Sequence, residues 1–443
     1  MATEEIRRTL DRLAEAAQAA DAGRFHKLLE TSSAEVREYL MSIELEGTTP
    51  AFTASYVGDA LRRFLHTLSF IPLPAGRRIL ELGGNPYFFH ILLRRIFPGS
   101  SVEAANFFDH NIFSREIGSA THRLRSPLLG EEWTFTYPTF NLEAVPRYPL
   151  PPASFDLIFF CETLEHLVVN PLAVFRKIRR LLAPGGHLII TLPNAVRLTN
   201  LALMLDGHNF FDLYHPDNGI HGRHNREFTL DEMKNLLALN GLAVRRAETR
   251  DRFDYDHVPI VGVDYSGKPV IATRRRLDLV KVLQKAGGRL DDRGDNLYLL
   301  AQRPAQAPPT SGQPAPRQET GLATCPPPPP PSARVTAYVD ERRDEAGRLY
   351  VHGWGFLSDE WGDESEWIRL VLRSAERCFS VACSRQARQD VADRFGLDRD
   401  DPGFQVSVDK TSLPPGRYRL GLLLGGPGLQ EGFQDLGIDV LAG

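Results

Sequence analysis

The sequence predicts a doubly wound, mostly parallel α/β sheet behind an N-terminal helical cap, followed by a separate all-β sandwich. Three observations predict this architecture. Short apolar runs alternate with amphipathic helical segments over residues 71–302, as they do in parallel sheets covered by helices. A Pro-rich stretch at 303–332 then interrupts all periodicity. Beyond it, residues 333–443 alternate polar and apolar side chains with the period of antiparallel strands.

Composition and charge narrow the class of protein. The chain has 443 residues, of which 42% are hydrophobic and 24% charged, as in globular proteins of two or three domains. Its 52 Lys and Arg against 56 Asp and Glu give a formal net charge of −4. This balance lacks the excess of positive charge that is typical of proteins that bind nucleic acid or an anionic membrane. Four cysteines are too few for a disulfide scaffold, and no apolar run reaches the ~20 residues of a membrane helix. We expect a cytoplasmic protein without a transmembrane segment.

The N-terminal segment, residues 1–70, is predicted to be helical. Ile6, Leu10 and Leu13 recur at helical spacing, and a second helical stretch runs over Val57–Leu68.

The following α/β region, 71–302, reads as alternating strands and helices. Phe155–Cys161 is nearly continuous in apolar residues, which is typical of a strand buried on both faces. Thr229 with Glu232 forms the pattern of a capping box that opens a helix. The predicted strands are Arg77–Leu82, Ser101–Phe107, Trp133–Tyr137, Phe155–Cys161, His187–Leu192, Leu242–Thr249 and Asn296–Ala301, and the predicted helices are Tyr87–Phe97, Leu172–Leu182 and Thr229–Asn240.

The region 303–332 is predicted to be a linker. Its Pro run, Pro326–Pro331, favours polyproline II and excludes helix. A semi-rigid spacer is the favoured interpretation, and a docking ligand is the alternative. The seven strands predicted beyond it are Arg334–Val339, Arg348–Gly353, Trp367–Leu372, Arg377–Cys383, Phe404–Val408, Arg417–Leu424 and Leu436–Val440.

A glycine turn follows the first predicted strand. Gly83 and Gly84 precede Asn85 and Pro86, and a helix begins directly afterwards. Such a turn lets the backbone approach a ligand at a helix N-terminus. By itself the signal is weak, and it is not the G-x-G-x-x-G of dinucleotide-binding proteins.

Two further stretches appear in order at the expected strand positions. Residues 152–166 read PASFDLIFFCETLEH, and residues 182–194 read LAPGGHLIITLPN. With the glycine turn, they resemble the class I S-adenosylmethionine-dependent methyltransferases, specifically the group with S-F-D, L-E-H and L-x-P-G-G. Residues 224–228 (HNREF) are similar to the H-x-R-x-F segment that many of these enzymes carry after the fifth strand. The resemblance covers roughly residues 70–302.

The resemblance implies that S-adenosyl-L-methionine is the cofactor and that the glycine turn holds its methionine part. Glu81, Gly83 and Gly84 match the family's first motif. Asn85 stands, with Pro86, where the family carries a different turn sequence, which we interpret as a variant of the turn.

Three later segments complete the implied cofactor site. Asn106 takes the place of the acid that receives the ribose hydroxyls, with Asp109 as a substitute; an uncharged side chain there predicts weaker binding. Asn141 and Leu142 match the segment that meets the adenine. Cys161 and Glu162 are expected to line the cofactor side of the fourth strand's end.

Histidines mark the region where an acceptor would bind, beyond the carboxyl ends of the strands. His166 is our first candidate for a general base that takes a proton from a hydroxyl acceptor, and His224 is the second. The alternative is that His166 orients its loop by hydrogen bonding. His208, His215 and His221 also lie in this region, and the alternative for His215, His221 and His224, which share a polar loop, is that each is a solvated loop residue.

The spacing E-x-x-E-H raises the alternative of a metal site. Glu162, Glu165 and His166 resemble the metal-binding residues of some O-methyltransferases, in which a divalent ion lowers the pKa of a bound hydroxyl. We expect no metal, because L-E-H is widespread in relatives without one and the carboxylates can cap the turn.

The C-terminal region has a looser resemblance of its own. Residues 351–355 (VHGWG) and 413–418 (LPPGRY) resemble a small β-sandwich module appended to bacterial glycosyltransferases and to methyltransferases of surface-polysaccharide clusters. The favoured interpretation is structural, with Trp354 and Phe404 in a core and Arg388 paired with Asp390. Residues 398–401 (DRDD) are expected to form a solvated turn rather than a calcium site.

Together these features predict an enzyme that transfers a methyl group from S-adenosylmethionine to a hydroxyl of a sugar or glycan intermediate of bacterial surface polysaccharide. The second resemblance implies association with glycan-assembly enzymes through the C-terminal domain. The alternatives are a small-molecule acceptor, such as the hydroxyl of a quinone or secondary metabolite, and a cofactor-binding scaffold without turnover. An NAD(P)-dependent oxidoreductase is disfavoured because the third glycine is missing.

Overall fold

In the computed structural model the chain divides into two compact units, Met1–Gln306 and Ala307–Gly443. None of the helices in the described residues combines the length and the hydropathy that spanning a bilayer requires. The residues that the structure describes are 3–107, 111, 113–145, 147–168, 171–211, 222–252, 260–263, 269–272, 276–305, 322–332, 334–345, 347–359, 362–363, 365–395, 397, 401–426 and 431–442.

The N-terminal cap consists of helices that each bury one apolar face. Ile6, Leu10 and Leu13 are fully buried in a core shared with the sheet. Thr49 caps the fourth helix by accepting a hydrogen bond from the Phe52 amide, ahead of a proline that suits the first turn. The elements are α1 (Thr3–Gln18), α2 (Ala22–Thr31), α3 (Ser33–Met41), the short strand β1 (Glu44–Leu45) and α4 (Pro50–Leu68).

The rest of the N-terminal unit alternates strands and helices. The capping box predicted at Thr229 is present, since Thr229 and Glu232 bond each other's backbone amides. The strands are β2 (Arg78–Leu82), β3 (Ser101–Ala105), β4 (Ile117–Ser126), β5 (Glu131–Phe140), β6 (Phe155–Cys161), β7 (Leu182–Pro193), β8 (Ala243–Arg250), β9 (Ile260–Val263), β10 (Pro269–Ala272) and β11 (Asn296–Gln302). The helices are α5 (Phe88–Ile96), α6 (Pro171–Leu181), α7 (Leu198–Leu205), α8 (Leu230–Leu239) and α9 (Arg276–Lys285).

The central sheet has the strand order β3-β2-β6-β7-β11-β8. Strands β3, β2, β6 and β7 are parallel, and β11 lies antiparallel between β7 and β8. This Rossmann-like, mostly parallel sheet with helices confirms the predicted fold class. The carboxyl ends of β2, β6 and β7 therefore meet the amino end of β11 at one edge, where Pro193 pairs with Asn296.

Strand β6 shows why its sequence is almost continuously apolar. Leu157 and Phe159 point into the core beneath the N-terminal helices, whereas Ile158 and Phe160 point into a second core on the opposite face. All four side chains are fully buried. The prediction of a strand buried on both faces is confirmed.

One strand was assigned to the wrong sheet. Trp133–Tyr137 lies within β5, which pairs with β4 and β1 in a separate antiparallel sheet. The hairpin packs against the cap through Leu124 and Tyr137, which are buried in the same core as the helices. The alternation of side chains predicts a strand correctly, but it does not specify the partner strand.

The C-terminal unit is an antiparallel, β-rich region of two sheets. Apolar side chains of both sheets, among them Leu349, Phe404 and Leu422, share one core. The elements are β12 (Ala323–Thr324), β13 (Val335–Glu345), β14 (Arg348–Asp359), β15 (Gly362–Asp363), β16 (Trp367–Arg373), β17 (Cys378–Ala382), β18 (Ser384–Gln386), α10 (Gln389–Phe395), β19 (Gly403–Asp409), β20 (Gly416–Gly425) and β21 (Gly432–Ala442). One sheet has the order β12-β17-β16-β20-β21 and the other the order β13-β14-β19-β18, with β15 paired to β14.

The structure incorporates both ends of the predicted linker, 303–332, into the two units. Arg303 exchanges backbone hydrogen bonds with the Gly185–Gly186 turn of β7. At the other end, β12 pairs with β17, and the Ser332 amide donates to the Phe433 carbonyl. These residues retain the backbone N–H that proline lacks, so they can join a sheet despite the surrounding prolines. The intervening residues 306–321 lie outside the described part of the chain.

Candidate active site

The glycine turn after β2 is closely packed against its own protein. A Cβ atom on Gly83, whose φ is +80°, would lie 2.3 Å from Thr163 Oγ1, and one on Gly84 would lie 2.4 Å from the Glu81 carboxylate. Glu81 is buried and accepts a hydrogen bond from His90 Nδ1 at 3.2 Å. The turn thus requires glycine because two side chains lie against it. Asn85 is exposed beside it.

Glu162 is held by three neighbours at the end of β6. Its carboxylate accepts hydrogen bonds from Thr191 Oγ1 at 2.9 Å and from Asn296 Nδ2 at 3.1 Å. Arg63 Nε lies 3.7 Å from Glu162 Oε2. The backbone of Glu162 has a φ of +48°, a strained conformation for a non-glycine residue. Cys161 precedes it, and burial raises the pKa of that thiol to about 12.

Arg63 is a functional candidate that the sequence did not single out. Helix α4 brings its guanidinium to the carboxyl ends of β2 and β6, where the side chain is only 10% exposed. Its Nε makes no hydrogen bond within the described residues. Tyr56, Arg63 and Thr67 recur at helical spacing beside the apolar face of α4, and that polar stripe is the signal that could have identified Arg63.

Asn106, the predicted ribose contact, is engaged with neighbouring aromatic residues. Its Nδ2 donates to Tyr87 Oη at 3.2 Å, and its Oδ1 accepts from the Phe107 amide at 2.8 Å. Tyr87 in turn donates to Tyr137 Oη of the β5 hairpin. The amide therefore connects the end of β3 to the hairpin, and its contact with ribose stays a prediction. Asp109, the substitute, lies outside the described residues.

Asn141 and Leu142 shape the turn that follows β5. Asn141 Oδ1 accepts hydrogen bonds from the amides of Glu143 and Ala144. The Leu142 carbonyl accepts from Lys177 Nζ at 2.8 Å. Both side chains are buried, so their predicted contact with adenine is untested.

Glu165, His166 and His224 converge on one point. The ligand atoms of these three side chains lie within 4.8 Å of one another, although His224 is 58 positions from His166 in the sequence. His166 Nδ1 donates to the Arg223 carbonyl at 3.0 Å, and the two imidazole rings meet edge to face at 5.1 Å. The structure thus brings together both histidines that the sequence proposed as bases.

An ionised carboxylate supports His224. Its Nδ1 lies 3.1 Å from Glu227 Oε1, and Glu227 also accepts a hydrogen bond from Arg197. Burial opposes ionisation of Glu227, but the hydrogen bond from His224 and the positive charge of Arg197 lower its pKa to about 2. Because a carboxylate only accepts, Nδ1 of His224 carries a proton, and in the neutral ring Nε2 holds the lone pair. This is the arrangement that orients a histidine base.

The structure changes which residues could form the alternative metal site. Glu162, which the E-x-x-E-H spacing included, bonds Thr191 and Asn296, and His224 takes its place beside Glu165 and His166. Two histidines whose Nδ1 atoms bond a carbonyl and a carboxylate have the supporting contacts of metal ligands. These three residues, rather than the predicted set, are the ones that could hold a divalent ion.

Of the remaining histidines of this region, the structure describes His208. His208 follows α7, where its amide bonds the Leu203 carbonyl. His215 and His221 lie outside the described residues, as do Asp398, Arg399 and Asp400 of the predicted C-terminal turn.

Glu165→Gln is expected to stabilise the N-terminal unit at alkaline pH. Burial, with a contribution from the Glu162 carboxylate, raises the pKa of Glu165 to about 8, and its Oε2 makes no hydrogen bond within the described residues. Between about pH 4.5 and 8 only the unfolded chain releases this proton, so the free energy of unfolding falls as pH rises. The side-chain amide of glutamine does not ionise, so the variant does not lose this free energy of unfolding as pH rises.

Thermal unfolding followed by the helical circular dichroism signal checks this. At pH 8 the midpoint of Glu165→Gln should exceed that of the native chain by on the order of 5 °C, and at pH 5 the two should nearly coincide. Glu30→Gln, which changes an exposed glutamate of the same unit, is the matched control. An equal difference at both pH values would contradict the explanation.

Comparison with known proteins supports the fold. Residues 53–247, which contain most of α4, the glycine turn and the histidine cluster, match the family model described as "Methyltransferase domain". A comparison with curated proteins finds no match.

Similar solved structures include methyltransferases of several organisms. The complex of a Haloferax volcanii putative methyltransferase with the Trm112 activator is 13% identical, the match covers 62% of this chain and 97% of that chain, and the TM-score is 0.34. An S-adenosylmethionine-dependent methyltransferase from Mesorhizobium loti is 18% identical, with 55% of this chain and 98% of that chain covered and a TM-score of 0.31. Haemonchus contortus phosphoethanolamine N-methyltransferase 2 in complex with S-adenosyl-L-methionine is 13% identical, with 61% of this chain and 60% of that chain covered and a TM-score of 0.31. Because these TM-scores lie below 0.5, the similarities support no conclusion about substrate or partners. The domain match on the Rossmann-like sheet confirms the predicted enzyme class and cofactor: residues 53–247 belong to an S-adenosylmethionine-dependent methyltransferase domain.

Proposed function

We propose that the enzyme methylates a hydroxyl of a sugar or glycan intermediate of bacterial surface polysaccharide. The observation that supports a hydroxyl as the methyl acceptor is the contact of His166 with the His224–Glu227 pair at the edge of the sheet. A hydroxyl is a poor nucleophile until its proton is removed, and a histidine oriented by a carboxylate removes protons near neutral pH. The sugar is supported by the resemblance of the C-terminal region.

The chain's own residues perform the proton chemistry. As the acceptor oxygen gains the methyl group and the methyl–sulfur bond of the donor breaks, leaving the demethylated cofactor, the hydroxyl proton would pass to Nε2 of His224, and Glu227 would stabilise the resulting imidazolium. His166, fixed by the Arg223 carbonyl, lies against this ring and positions the acceptor. Bound S-adenosylmethionine supplies a methyl group activated by its sulfonium charge.

The residues at this edge fit that cofactor. Arg63 is a buried cation whose Nε makes no hydrogen bond within the described residues, which suits the carboxylate of the methionine part. Glu162, kept in place by Thr191 and Asn296, supplies a negative charge for a cationic ligand. We propose that Arg63 and Glu162 hold the two ends of the amino-acid portion.

A transfer assay with S-adenosylmethionine carrying a tritiated methyl group tests the acceptor. The acceptors are nucleotide sugars and short oligosaccharides on one side, and hydroquinone and catechol on the other. We expect label in a sugar fraction that survives alkali, because a methyl ether resists the hydrolysis that cleaves a methyl ester. Label confined to the phenols would replace the sugar with a small aromatic acceptor.

A scaffold without turnover is a second candidate, and the engagement of Asn106 with Tyr87 favours it. Calorimetry distinguishes the candidates: cofactor binding without transfer to any acceptor would support the scaffold.

A further inference from the structure

The outer face of the sheet around β14 carries an unusual row of side chains. Along β14, Leu349 and Val351 are buried in the core, whereas Tyr350, His352 and Trp354 alternate with them and are partly exposed. Trp354 therefore lies on the opposite face of the sheet from the core in which the sequence interpretation placed it, and there it stacks on the buried Phe356 with ring centroids 6.0 Å apart. Phe404 is buried as expected.

Aromatic rings continue from Trp354 across the sheet. Tyr338 on β13 is 59% exposed and stacks on Trp354 with a centroid distance of 6.0 Å and an interplanar angle of 28°. On the other side Phe395 of α10, 41% exposed, lies 5.4 Å from Trp354. We call Tyr338, Trp354 and Phe395 the aromatic row. It is a surface of ring atoms that water leaves readily.

A polar groove adjoins the aromatic row on the same face. Its cavity has a volume of about 220 Å³. Ser407 Oγ is buried in it and makes no hydrogen bond within the described residues, which leaves a hydroxyl for a ligand. The other residues whose side chains line this groove from the outer face are Glu341, Arg343, Tyr350, His352 and Gln405.

The charges of this face are compensated internally. Glu341 and Arg343 form an ion pair of 3.1 Å within the groove. At the far end of the aromatic row Arg388 is bound by both Asp340 and Asp390, as the sequence interpretation of a structural pair expected. Because Arg343 and Arg388 are each paired with a carboxylate, neither is available to the phosphate of an anionic ligand or a nucleic acid. The hydrogen-bonding groove also does not suit a purely apolar partner.

We propose that this face binds a neutral saccharide, whose ring CH groups pack on the aromatic row while its hydroxyls bond the polar groove. Aromatic surface next to a few convergent polar groups is the general pattern of a small-ligand site. None of the residues of this site takes part in the proposed methyl transfer, so a test of saccharide binding does not depend on the identity of the methyl acceptor.

Affinity electrophoresis of the full chain tests the proposal, using native gels that contain laminarin, dextran, mannan, xylan or galactan. At least one polysaccharide should retard the native chain, and Trp354→Ala and Tyr338→Ala should each weaken that retardation about tenfold or more. Leu441→Ala, which truncates a 69% exposed side chain of the other sheet, is the control and should behave as native.

Three outcomes overturn the proposal: no retardation in any gel, retardation that both aromatic variants retain, or retardation equally lost in Leu441→Ala. Circular dichroism of each variant shows whether the unit is folded. Ser407→Ala provides a further variant inside the groove, and since it removes only a hydroxyl it should weaken binding without altering the fold.

Discussion

Replacing His166 or His224 by alanine is expected to lower turnover by ~10²–10⁴-fold while the affinity for S-adenosylmethionine stays nearly constant. Both rings belong to the cluster that handles the acceptor proton, and neither is needed to hold the cofactor in the proposed arrangement. Glu227→Gln should lower turnover in the same direction, because an amide no longer stabilises a charged imidazole on His224. Initial rates and calorimetric affinities measure the two effects separately.

The matched control is His187→Ala, because His187 lies on β7 at the opposite end of the sheet, paired with Gln302. Native turnover should rise with pH on a limb that the His224 variant lacks. If Glu165, His166 and His224 instead hold a divalent ion, a chelator should inactivate the native enzyme and added metal should restore it. Near-native turnover in both histidine variants, insensitive to chelator, would remove this cluster from catalysis.

Replacing Arg63 by alanine is expected to weaken binding of S-adenosylmethionine about 10- to 100-fold. The reason is the loss of the proposed charge-assisted hydrogen bond between the ligand's carboxylate and the guanidinium of Arg63, which is buried. Arg63→Lys should recover part of the affinity, since it keeps the charge and loses the planar donors. Calorimetry with the cofactor and its demethylated product measures the effect.

Arg62→Ala is the control for this change, because Arg62 is the neighbouring arginine on α4 and is exposed. If the role of Arg63 is only to neutralise the charge of Glu162, we expect a different result. In that case Arg63→Ala would lower the unfolding midpoint while the folded protein bound the cofactor with native affinity.

Local patterns in the sequence determined much of the fold and the location of the candidate site. The apolar run of β6 specified a strand buried on both faces, and the Thr229–Glu232 pattern specified the start of α8. Parallel strands bring their carboxyl ends to one edge. The order of the motifs therefore placed Glu162 and His166 near each other before any contact was known.

Only the tertiary structure decided which of several similar residues is buried and what each one faces. Arg62 and Arg63 are adjacent and chemically identical, yet the packing of α4 buries one and exposes the other. The E-x-x-E-H spacing grouped Glu162 with Glu165 in one possible metal site. In the structure the Glu162 carboxylate instead accepts hydrogen bonds from Thr191 and Asn296, which are distant in sequence.

The same limit applies to the sheets. Alternation with a period of two identifies a strand but does not say which face meets the core or which strand is its partner. Strand β5 was therefore assigned to the central sheet, although it pairs with β4, and Trp354 was assigned to a core, although it faces outward. Side-chain pattern is local information, whereas pairing and burial depend on contacts between residues far apart in the chain.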